Sequence, residues 1–330
     1  SVVTSGTSTV AVVDAMDTTG VSLTSAPDLT EDGGNLTYTA TLGSPVLAGD
    51  DPVVVSFTDL NGDAQSITIT GGNATGTYVA TIPEALYEDV YSEAAADITI
   101  ATNVSVAGGN FEALGTPSVG TIALTDSIDN TNATLTSVGS GDEDNGSITY
   151  TVTLNNAPQA DQLFSITLSN GQSATITVAS GALTGAITFG WGAGAIAGTQ
   201  ALTGYPNSDA YSEAPVDISV STFTASGAGG NFEQLTPINS STPVTIADTI
   251  TPTTITLSDV NGAEGTSHTI TATVDHVVTG NDLVITLSNG KEITIAVGAT
   301  SGTSAAFAIQ SDDVYVDGDA YSVGISGTAG

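Results

Sequence analysis

The alternating heptapeptide Leu36-Thr37-Tyr38-Thr39-Ala40-Thr41-Leu42 decides the fold of this chain. Every second residue is aliphatic or aromatic, and the three residues between them are threonines. A period of two predicts a strand with one face on a core and the other in solvent. The pattern returns as Ile148-Thr149-Tyr150-Thr151-Val152-Thr153-Leu154 and as Ile270-Thr271-Ala272-Thr273-Val274. No stretch has a convincing helical period, so the sequence predicts an all-β fold.

The three strands belong to three copies of one longer unit. The hexapeptide Ala-Gly-Gly-Asn-Phe-Glu at residues 107–112 returns at residues 228–233. A repeat of about 110 to 120 residues is too long for a solenoid and has the size of a domain. We therefore divide the chain into residues 1–19, the terminal strand and linker of a preceding or neighbouring unit; residues 20–129, Ig-like unit 1; residues 130–251, Ig-like unit 2; and residues 252–330, Ig-like unit 3, lacking its last strand.

Each unit contains about seven short strands with turn signals about every 8 to 12 residues, which is typical of an Ig-like sandwich. The dipeptides Asn61-Gly62, Asn170-Gly171 and Asn289-Gly290 predict hairpins with type I′ turns. The predicted fold is thus an elongated array of tandem Ig-like β-sandwich domains. Unit 2 has an additional Gly/Ala-rich stretch, Phe189–Gly204, which we expect to lengthen a loop. Its Trp191 is either a sugar-stacking platform or a core-filling residue, and we favour the second interpretation.

The two ends of the sequence complement each other. Thr9–Val13 has the pattern of a last strand, whereas unit 3 stops before its own last strand is expected. One explanation is a fragment cut out of phase from a longer array. The other is a subunit that donates Thr9–Val13 to complete unit 3 of a neighbour. Both give head-to-tail continuity, and only the second gives a polymer of separate chains.

The charge balance excludes several classes of function. The 330 residues contain 35 Asp and Glu but one basic residue, a lysine, giving a formal net charge of −34. Such a chain repels nucleic acid and anionic membranes. Without cysteine it has neither disulfides nor thiolate metal sites. No apolar run is long enough to insert into a membrane. Catalytic motifs are absent as well, and we predict that the protein is not an enzyme.

The acidic residues recur at equivalent places in the units. In a sandwich of seven alternating strands, the A–B, C–D and E–F loops and the exit of the last strand share one pole. The acidic residues predicted to meet at this pole are Glu31, Asp32, Glu88, Asp89, Glu93, Asp126 and Asp129 in unit 1; Asp142, Glu143, Asp144, Asp209, Glu213 and Asp248 in unit 2; and Glu264, Asp312, Asp313, Asp317 and Asp319 in unit 3. Asp14 and Asp17 could supply the closing linker acids of unit 3 in the next copy.

Clustered carboxylates without basic partners predict a bound cation. Ca²⁺ accepts six to eight oxygen ligands in flexible geometry, whereas Mg²⁺ needs a stricter octahedron and Zn²⁺ prefers His or Cys. The alternative is that these acids are solvated loop residues kept for solubility. Their recurrence at equivalent positions favours calcium. From these acids we select as candidate ligands Glu31, Asp32, Glu88, Asp89, Asp126, Asp129, Glu143, Asp144, Asp209, Asp248, Glu264, Asp312, Asp313, Asp317, Asp14 and Asp17.

These residues carry a family resemblance. The loop Asp312–Gly318, the Ser-Asn-Gly hairpins, the Gly-Gly-Asn-Phe-Glu turn and the linker with Asp126 and Asp129 resemble the bacterial Ig-like extender repeats of large RTX-type, type I secreted adhesins. The resemblance implies that calcium rigidifies the junctions, and that the array holds a ligand-binding tip away from the cell. The ligands that it implies are Glu31, Asp89, Asp126, Asp129, Glu143, Asp209, Asp248, Glu264, Asp313 and Asp317.

The predicted function is therefore an extracellular, calcium-rigidified extender of a bacterial surface adhesin. Its partners are neighbouring repeats of the same chain or identical subunits, and an unknown surface ligand is bound elsewhere in the parent protein. The alternative is a subunit of a self-assembling extracellular filament or surface layer, joined head-to-tail by donor-strand complementation.

Overall fold

The computed structural model describes residues 1–192, 195, 197–204, 209–316 and 320–330. The predicted all-β fold class of tandem sandwiches is confirmed. Apart from a single 3₁₀ turn at Glu84–Leu86, the regular elements of the described residues are strands. Within this part of the chain, no helix has the length and hydrophobicity that a membrane span needs.

The strands of unit 1, with bounds, are β1 Thr18–Thr19, β2 Val21–Ala26, β3 Leu29–Thr30, β4 Gly34–Leu42, β5 Val53–Thr58, β6 Ala64–Ile69, β7 Thr75–Ile82, β8 Ala96–Thr99, β9 Thr102–Gly108, β10 Ala113–Leu114, β11 Ser118–Val119 and β12 Thr121–Thr125. They form one sheet in the order β11-β2-β4-β7 and a second in the order β6-β5-β9. Strand β12 lies between β3 and β8 and closes the unit.

The strands of unit 2 are β13 Asn130–Asp142, β14 Asn145–Leu154, β15 Gln162–Leu168, β16 Ser173–Val178, β17 Thr184–Gly192, β18 Gln200–Ala201, β19 Val216–Ile218, β20 Val220–Ser226, β21 Gln234–Asn239 and β22 Val244–Ala247. The order β18-β17-β14-β13-β22-β19 forms one sheet, with β21 also pairing with β13, and β16-β15-β20 forms the other. Strand β22 thus takes the place that β12 has in unit 1.

The strands of unit 3 are β23 Ile255–Leu257, β24 Ser267–His268, β25 Thr271–Val274, β26 Leu283–Leu287, β27 Glu292–Ile295, β28 Ser301–Thr303, β29 Phe307–Ala308 and β30 Ile325–Ala329. The two central trios of the other units recur here as β23-β25-β28 and β27-β26-β30. Each unit therefore repeats one arrangement of two facing sheets.

A separate hydrophobic core lies between the sheets of each unit. The heptapeptide of unit 1 forms most of β4, and its apolar residues are buried while the threonines between them are half-buried. Tyr38 is fully buried in the core. Its hydroxyl donates to the carbonyl of Ile100 at 3.1 Å and accepts from the N–H of Leu60 at 3.2 Å. Both hydrogen-bonding capacities are thus satisfied, as burial of a tyrosine requires.

The predicted hairpins form at all three Asn-Gly dipeptides, but the predicted type I′ turns are wrong. A type I′ turn needs positive φ at both central residues, and here only the glycine has it, with φ of 83° at Gly62. The N–H of Gly62 donates to the carbonyl of Asp59, and the N–H of Asp59 donates to the carbonyl of Asp63. This is a type I turn followed by a glycine bulge, since the loop is one residue longer than a type I′ turn allows.

Two further sequence expectations concern irregular segments. Residues 1–17 form no strand, and Val10, Val12 and Val13 of the strand-like segment Thr9–Val13 are largely exposed. The predicted longer loop at Phe189–Gly204 begins later than expected, because residues up to Gly192 continue β17; residues 193, 194 and 196 lie outside the described part. Trp191 is buried, and its Nε1 donates to the carbonyl of Asp142 at 2.6 Å, so the core-filling interpretation is confirmed.

Candidate metal centre

A cluster of four carboxyl groups lies at the junction of units 1 and 2. Glu31 follows β3, and its N–H donates to the carbonyl of Thr125 at 3.1 Å. Asp126, the residue after β12, is thereby brought beside Glu31. Glu93 comes from the loop between β7 and β8, and Glu233 comes from the Gly-Gly-Asn-Phe-Glu turn of unit 2. One oxygen from each of the four groups lies within 4.8 Å of the others.

The cluster holds carboxylate oxygens that have lost water without gaining a partner. Glu31 is 6% exposed. Buried oxygens of Glu31, Asp126 and Glu233 accept no hydrogen bond from the described residues. Burial of a carboxylate without a donor or a cation is strongly unfavourable. The arrangement therefore needs either protons or a metal ion, and it could hold a metal ion.

The pKa values of the glutamates in this cluster also show that their charged forms are destabilised. Burial raises the pKa of Glu31, and the charges of Asp126 and Glu93 raise it further. Burial also raises the pKa of Glu93 and of Glu233. Each group thus favours the protonated form more than a free glutamate does, because burial and like charges both destabilise the carboxylate.

A second acidic pair flanks the cluster. The pKa of Glu88 is raised to about 7, first by the hydrogen bond that it shares with Asp129 and then by burial. The hydroxyl of Ser127 donates to Glu88 Oε2 at 3.0 Å. The N–H of Asp129 donates to Glu233 Oε2, so the linker after β12 is tied to both units.

The second junction, between units 2 and 3, has counterparts of three of the four carboxyls of the first cluster. Glu143, Glu213 and Asp248 bring one carboxylate oxygen each within 4.8 Å of the others. The N–H of Glu143 donates to the carbonyl of Ala247 at 2.9 Å, as Glu31 does to Thr125. Thr249 donates its hydroxyl to Glu143 Oε1 at 2.7 Å. One oxygen of Asp248 is buried without a hydrogen-bond partner among the described residues.

An Asx turn occurs in the loop that carries Glu93 and at the corresponding positions of units 2 and 3. Asp89, Asp209 and Asp313 each accept a hydrogen bond from the N–H of a tyrosine two residues later, at 2.7, 2.8 and 2.8 Å. These Asx turns fix the loop backbone. The three aspartates are therefore occupied in shaping the loops. Asp89 and Asp209 also lie beside the two clusters.

The structure brings together four of the candidate ligands proposed from sequence: Glu31 with Asp126, and Glu143 with Asp248. Candidates outside these two groups are Asp32, Glu88, Asp89 and Asp129 at the first junction, Asp144 and Asp209 at the second, Glu264, Asp312 and Asp313 in unit 3, and Asp14 and Asp17 in the N-terminal segment. Asp317 lies outside the described residues, as does Asp319. In unit 3 one buried oxygen of Glu264 has no hydrogen-bond partner among the described residues.

Three members of the clusters were not among the candidate ligands. The sequence predicts that Glu93 and Glu213 lie at this pole, but it does not single them out as ligands. Glu233 was missed altogether, because it belongs to the next unit. Its sequence signal is the hexapeptide that recurs at residues 107–112 and 228–233.

A comparison with known protein families identifies the family of this chain. The model of the LapA domain matches residues 17–127, 129–249 and 251–330, which is nearly the whole sequence. The chain belongs to the LapA domain family. LapA is a large adhesin of biofilm formation, so the three units of this LapA-domain chain are surface-associated, adhesin-type repeats.

Other comparisons add little. No curated protein matches the chain. Among solved structures, it is similar to Escherichia coli alpha-2-macroglobulin activated by porcine elastase, with 10% identity and a TM-score of 0.19. That match covers 84% of this chain and 28% of the macroglobulin. A TM-score this low carries no argument about function.

Proposed function

We propose that this chain is an extender segment of a bacterial surface adhesin of the RTX type, and that Ca²⁺ stiffens its junctions outside the cell. The observation that carries the proposal is the buried, unpartnered oxygen of Glu31 inside a group of four carboxyls from two units. An ion bound there would be held by both units at once. The membership in an adhesin family supports the structural role.

Calcium fits the donor set better than other common cations. The cluster offers carboxylate oxygens only, which suits a hard cation. The four groups come from irregular loops, which favours the flexible coordination of Ca²⁺ over the octahedron of Mg²⁺. Histidine and cysteine ligands, which Zn²⁺ would need, are absent from both clusters.

The function proposed here is mechanical. Without an ion, repulsion among Glu31, Glu93, Asp126 and Glu233 opposes close approach of units 1 and 2. With an ion bound, the same four groups attract it, so the repulsion is removed and the junction becomes stiffer. Units aligned in this way would space a ligand-binding region of the parent protein from the cell surface.

Small-angle scattering and calorimetry test the proposal together. The chain is measured in about 5 mM CaCl₂, in EDTA and in MgCl₂ at the same concentration as the calcium. All three buffers have about physiological ionic strength, so that screening of the protein charges is equal. We expect a larger maximum dimension and a higher melting temperature in calcium than in EDTA or magnesium. Equal dimensions and equal melting in calcium and EDTA would refute the proposal.

A second candidate function is the filament subunit joined by strand donation. It is favoured by a contact in the N-terminal segment: the N–H of Asp17 donates to Glu112 Oε2, as that of Asp129 does to Glu233. Asp17 thus contacts unit 1 as Asp129 contacts unit 2. Deletion of residues 1–19 would reduce a polymer to monomers in sedimentation, whereas an extender fragment would sediment as before.

A further inference from the structure

Units 1 and 2 are joined by a short antiparallel bridge of backbone hydrogen bonds. The N–H of Ser92 donates to the carbonyl of Asn231 at 2.9 Å, and the N–H of Glu233 donates to the carbonyl of Val90 at 3.2 Å. Tyr91 and Phe232 lie opposite each other between these two bonds. We call this contact, of residues 90–92 with residues 231–233, the aromatic clasp.

Side chains reinforce the clasp. The rings of Tyr91 and Phe232 stack, with centroids 5.8 Å apart and planes inclined by 23°. The hydroxyl of Tyr91 donates to the carbonyl of Ala157 in unit 2 at 2.5 Å. Asn231 Nδ2 donates to the carbonyl of Ser92 at 3.2 Å and to Gln159 Oε1 at 2.9 Å. The loop of unit 1 is thus held by two separate segments of unit 2.

We propose that the aromatic clasp sets the orientation of units 1 and 2 without metal, and that Tyr91 and Phe232 are positioning residues that place Glu233 in the carboxylate cluster. The second half of this inference rests on the proposed cation site. The first half does not, because none of the clasp contacts involves an ion.

The covalent spacing explains how the clasp acts on the cluster. Phe232 directly precedes Glu233, and Tyr91 lies two residues before Glu93. One stacked pair therefore fixes the backbone next to two of the four carboxyls, one from each unit. Without it, the repulsion between these carboxyls would be free to separate the loops. The clasp offsets that repulsion, so that the ion meets a site that is already assembled.

The second junction and the turn of unit 1 can each be compared with the clasp. At the second junction, the hydroxyl of Tyr211 donates to the carbonyl of Val277 at 2.9 Å, which repeats the bond of Tyr91 to Ala157. The turn in unit 1 that corresponds to residues 229–233 has another backbone: there Gly109 has positive φ, at 71°, whereas in unit 2 the residue is Asn231, at 56°. The same pentapeptide thus has a different conformation where it meets a tyrosine loop.

Gly230 is needed in the turn because one side of the Phe232 ring packs against it. A Cβ built on Gly230 would overlap the Phe232 ring. Gly230→Ala should therefore displace the ring while leaving its chemistry unchanged. Tyr91→Phe removes only the hydroxyl that reaches Ala157. Phe232→Leu removes the stacking and keeps an apolar side chain. Phe111→Leu is the matched control, since Phe111 packs on the core of its own unit as Phe232 does.

Pulsed electron paramagnetic resonance on the full chain in EDTA tests the first half of the inference. The chain has no cysteine, so Thr77→Cys in unit 1 and Thr184→Cys in unit 2, both exposed, give a single pair of spin labels. We expect a narrow distance distribution for the parent chain and for Phe111→Leu, and a broader one for Phe232→Leu and Gly230→Ala. A distribution in the parent chain as broad as in these variants would overturn the inference.

Calcium titration calorimetry tests the second half, in an Asp248→Asn background that removes one carboxylate of the second cluster. Loss of an aromatic pair or of one hydrogen bond should weaken binding about three- to tenfold. We expect this for Phe232→Leu and Tyr91→Phe and not for Phe111→Leu. Unchanged affinity in both clasp variants would overturn the positioning role and leave the cation proposal intact. No calcium binding by any chain would overturn the cation proposal and the positioning role, whereas the spin-label result would still decide the metal-free orientation.

Discussion

Replacing Glu31 with glutamine removes one charge from the middle of the first carboxylate cluster and keeps the shape of the side chain. Glu31 lies within 4.8 Å of three other carboxyls, Glu93, Asp126 and Glu233. At that separation and an effective dielectric constant of 20, each charged pair repels by about 3.5 kcal/mol. Solvent screening at the exposed Glu93 and partial protonation of the cluster remove most of this repulsion. We therefore expect a net gain of about 2 kcal/mol in the free energy of unfolding of the metal-free chain at neutral pH.

Calcium should reverse the order of the two proteins. Glutamine offers a neutral oxygen in place of a carboxylate, so Glu31→Gln should bind calcium at least about tenfold more weakly. Differential scanning calorimetry in EDTA should show unit 1 of the variant melting about 8 °C higher than that of the parent chain. In saturating calcium the parent chain should melt higher.

The control for this experiment is Glu84→Gln, which removes an exposed carboxylate outside the clusters. It should move neither the melting temperature nor the calcium affinity appreciably. A Glu31→Gln protein that is less stable than the parent chain in EDTA would refute the reasoning, because Glu31 would then have a stabilising partner that the structure does not contain.

Further predictions concern pH and the second junction. Because Glu31, Glu88, Glu93 and Glu233 have raised pKa values in the folded chain, the folded state binds more protons than the unfolded state between pH 4.5 and about 7. The free energy of unfolding in EDTA should therefore fall as pH rises through that range, and melting that is flat or rises with pH would contradict this. Trp191→Phe removes the hydrogen bond to the carbonyl of Asp142, next to Glu143. Chemical denaturation should show unit 2 destabilised by about 1 to 3 kcal/mol. Unchanged unfolding would contradict the conclusion that Trp191 anchors this segment in the core. Thr249→Val removes a donor to Glu143. Chemical denaturation should show unit 2 destabilised by about 1 kcal/mol, and unchanged unfolding would show that this hydroxyl does not stabilise the carboxylate.

Local periodicity is enough to predict the central strands of the units, such as β4, β14 and β25. The alternation of Leu36–Leu42 predicts which residues face the core of unit 1, and β4 has the predicted burial pattern. The meeting of Glu31 with Asp126 was also predictable, since both follow strands that end at one pole. These features depend on a single unit and on short-range sequence rules.

Features that depend on contacts between units were not predictable in the same way. Glu233 enters the cluster because unit 2 abuts unit 1 through Tyr91 and Phe232, and no periodicity encodes that orientation. The prediction of a type I′ turn at Asn61-Gly62 is wrong because the loop length, rather than the dipeptide, determines the turn type.

Anomalous diffraction from crystals grown in calcium tests the central claim most directly, because it locates the ion and its ligands together. We predict a calcium peak between units 1 and 2, bound by carboxylate oxygens of Glu31, Glu93, Asp126 and Glu233. Calcium-saturated crystals in which these four carboxyls surround only water, or lie apart with each facing solvent, would contradict the account.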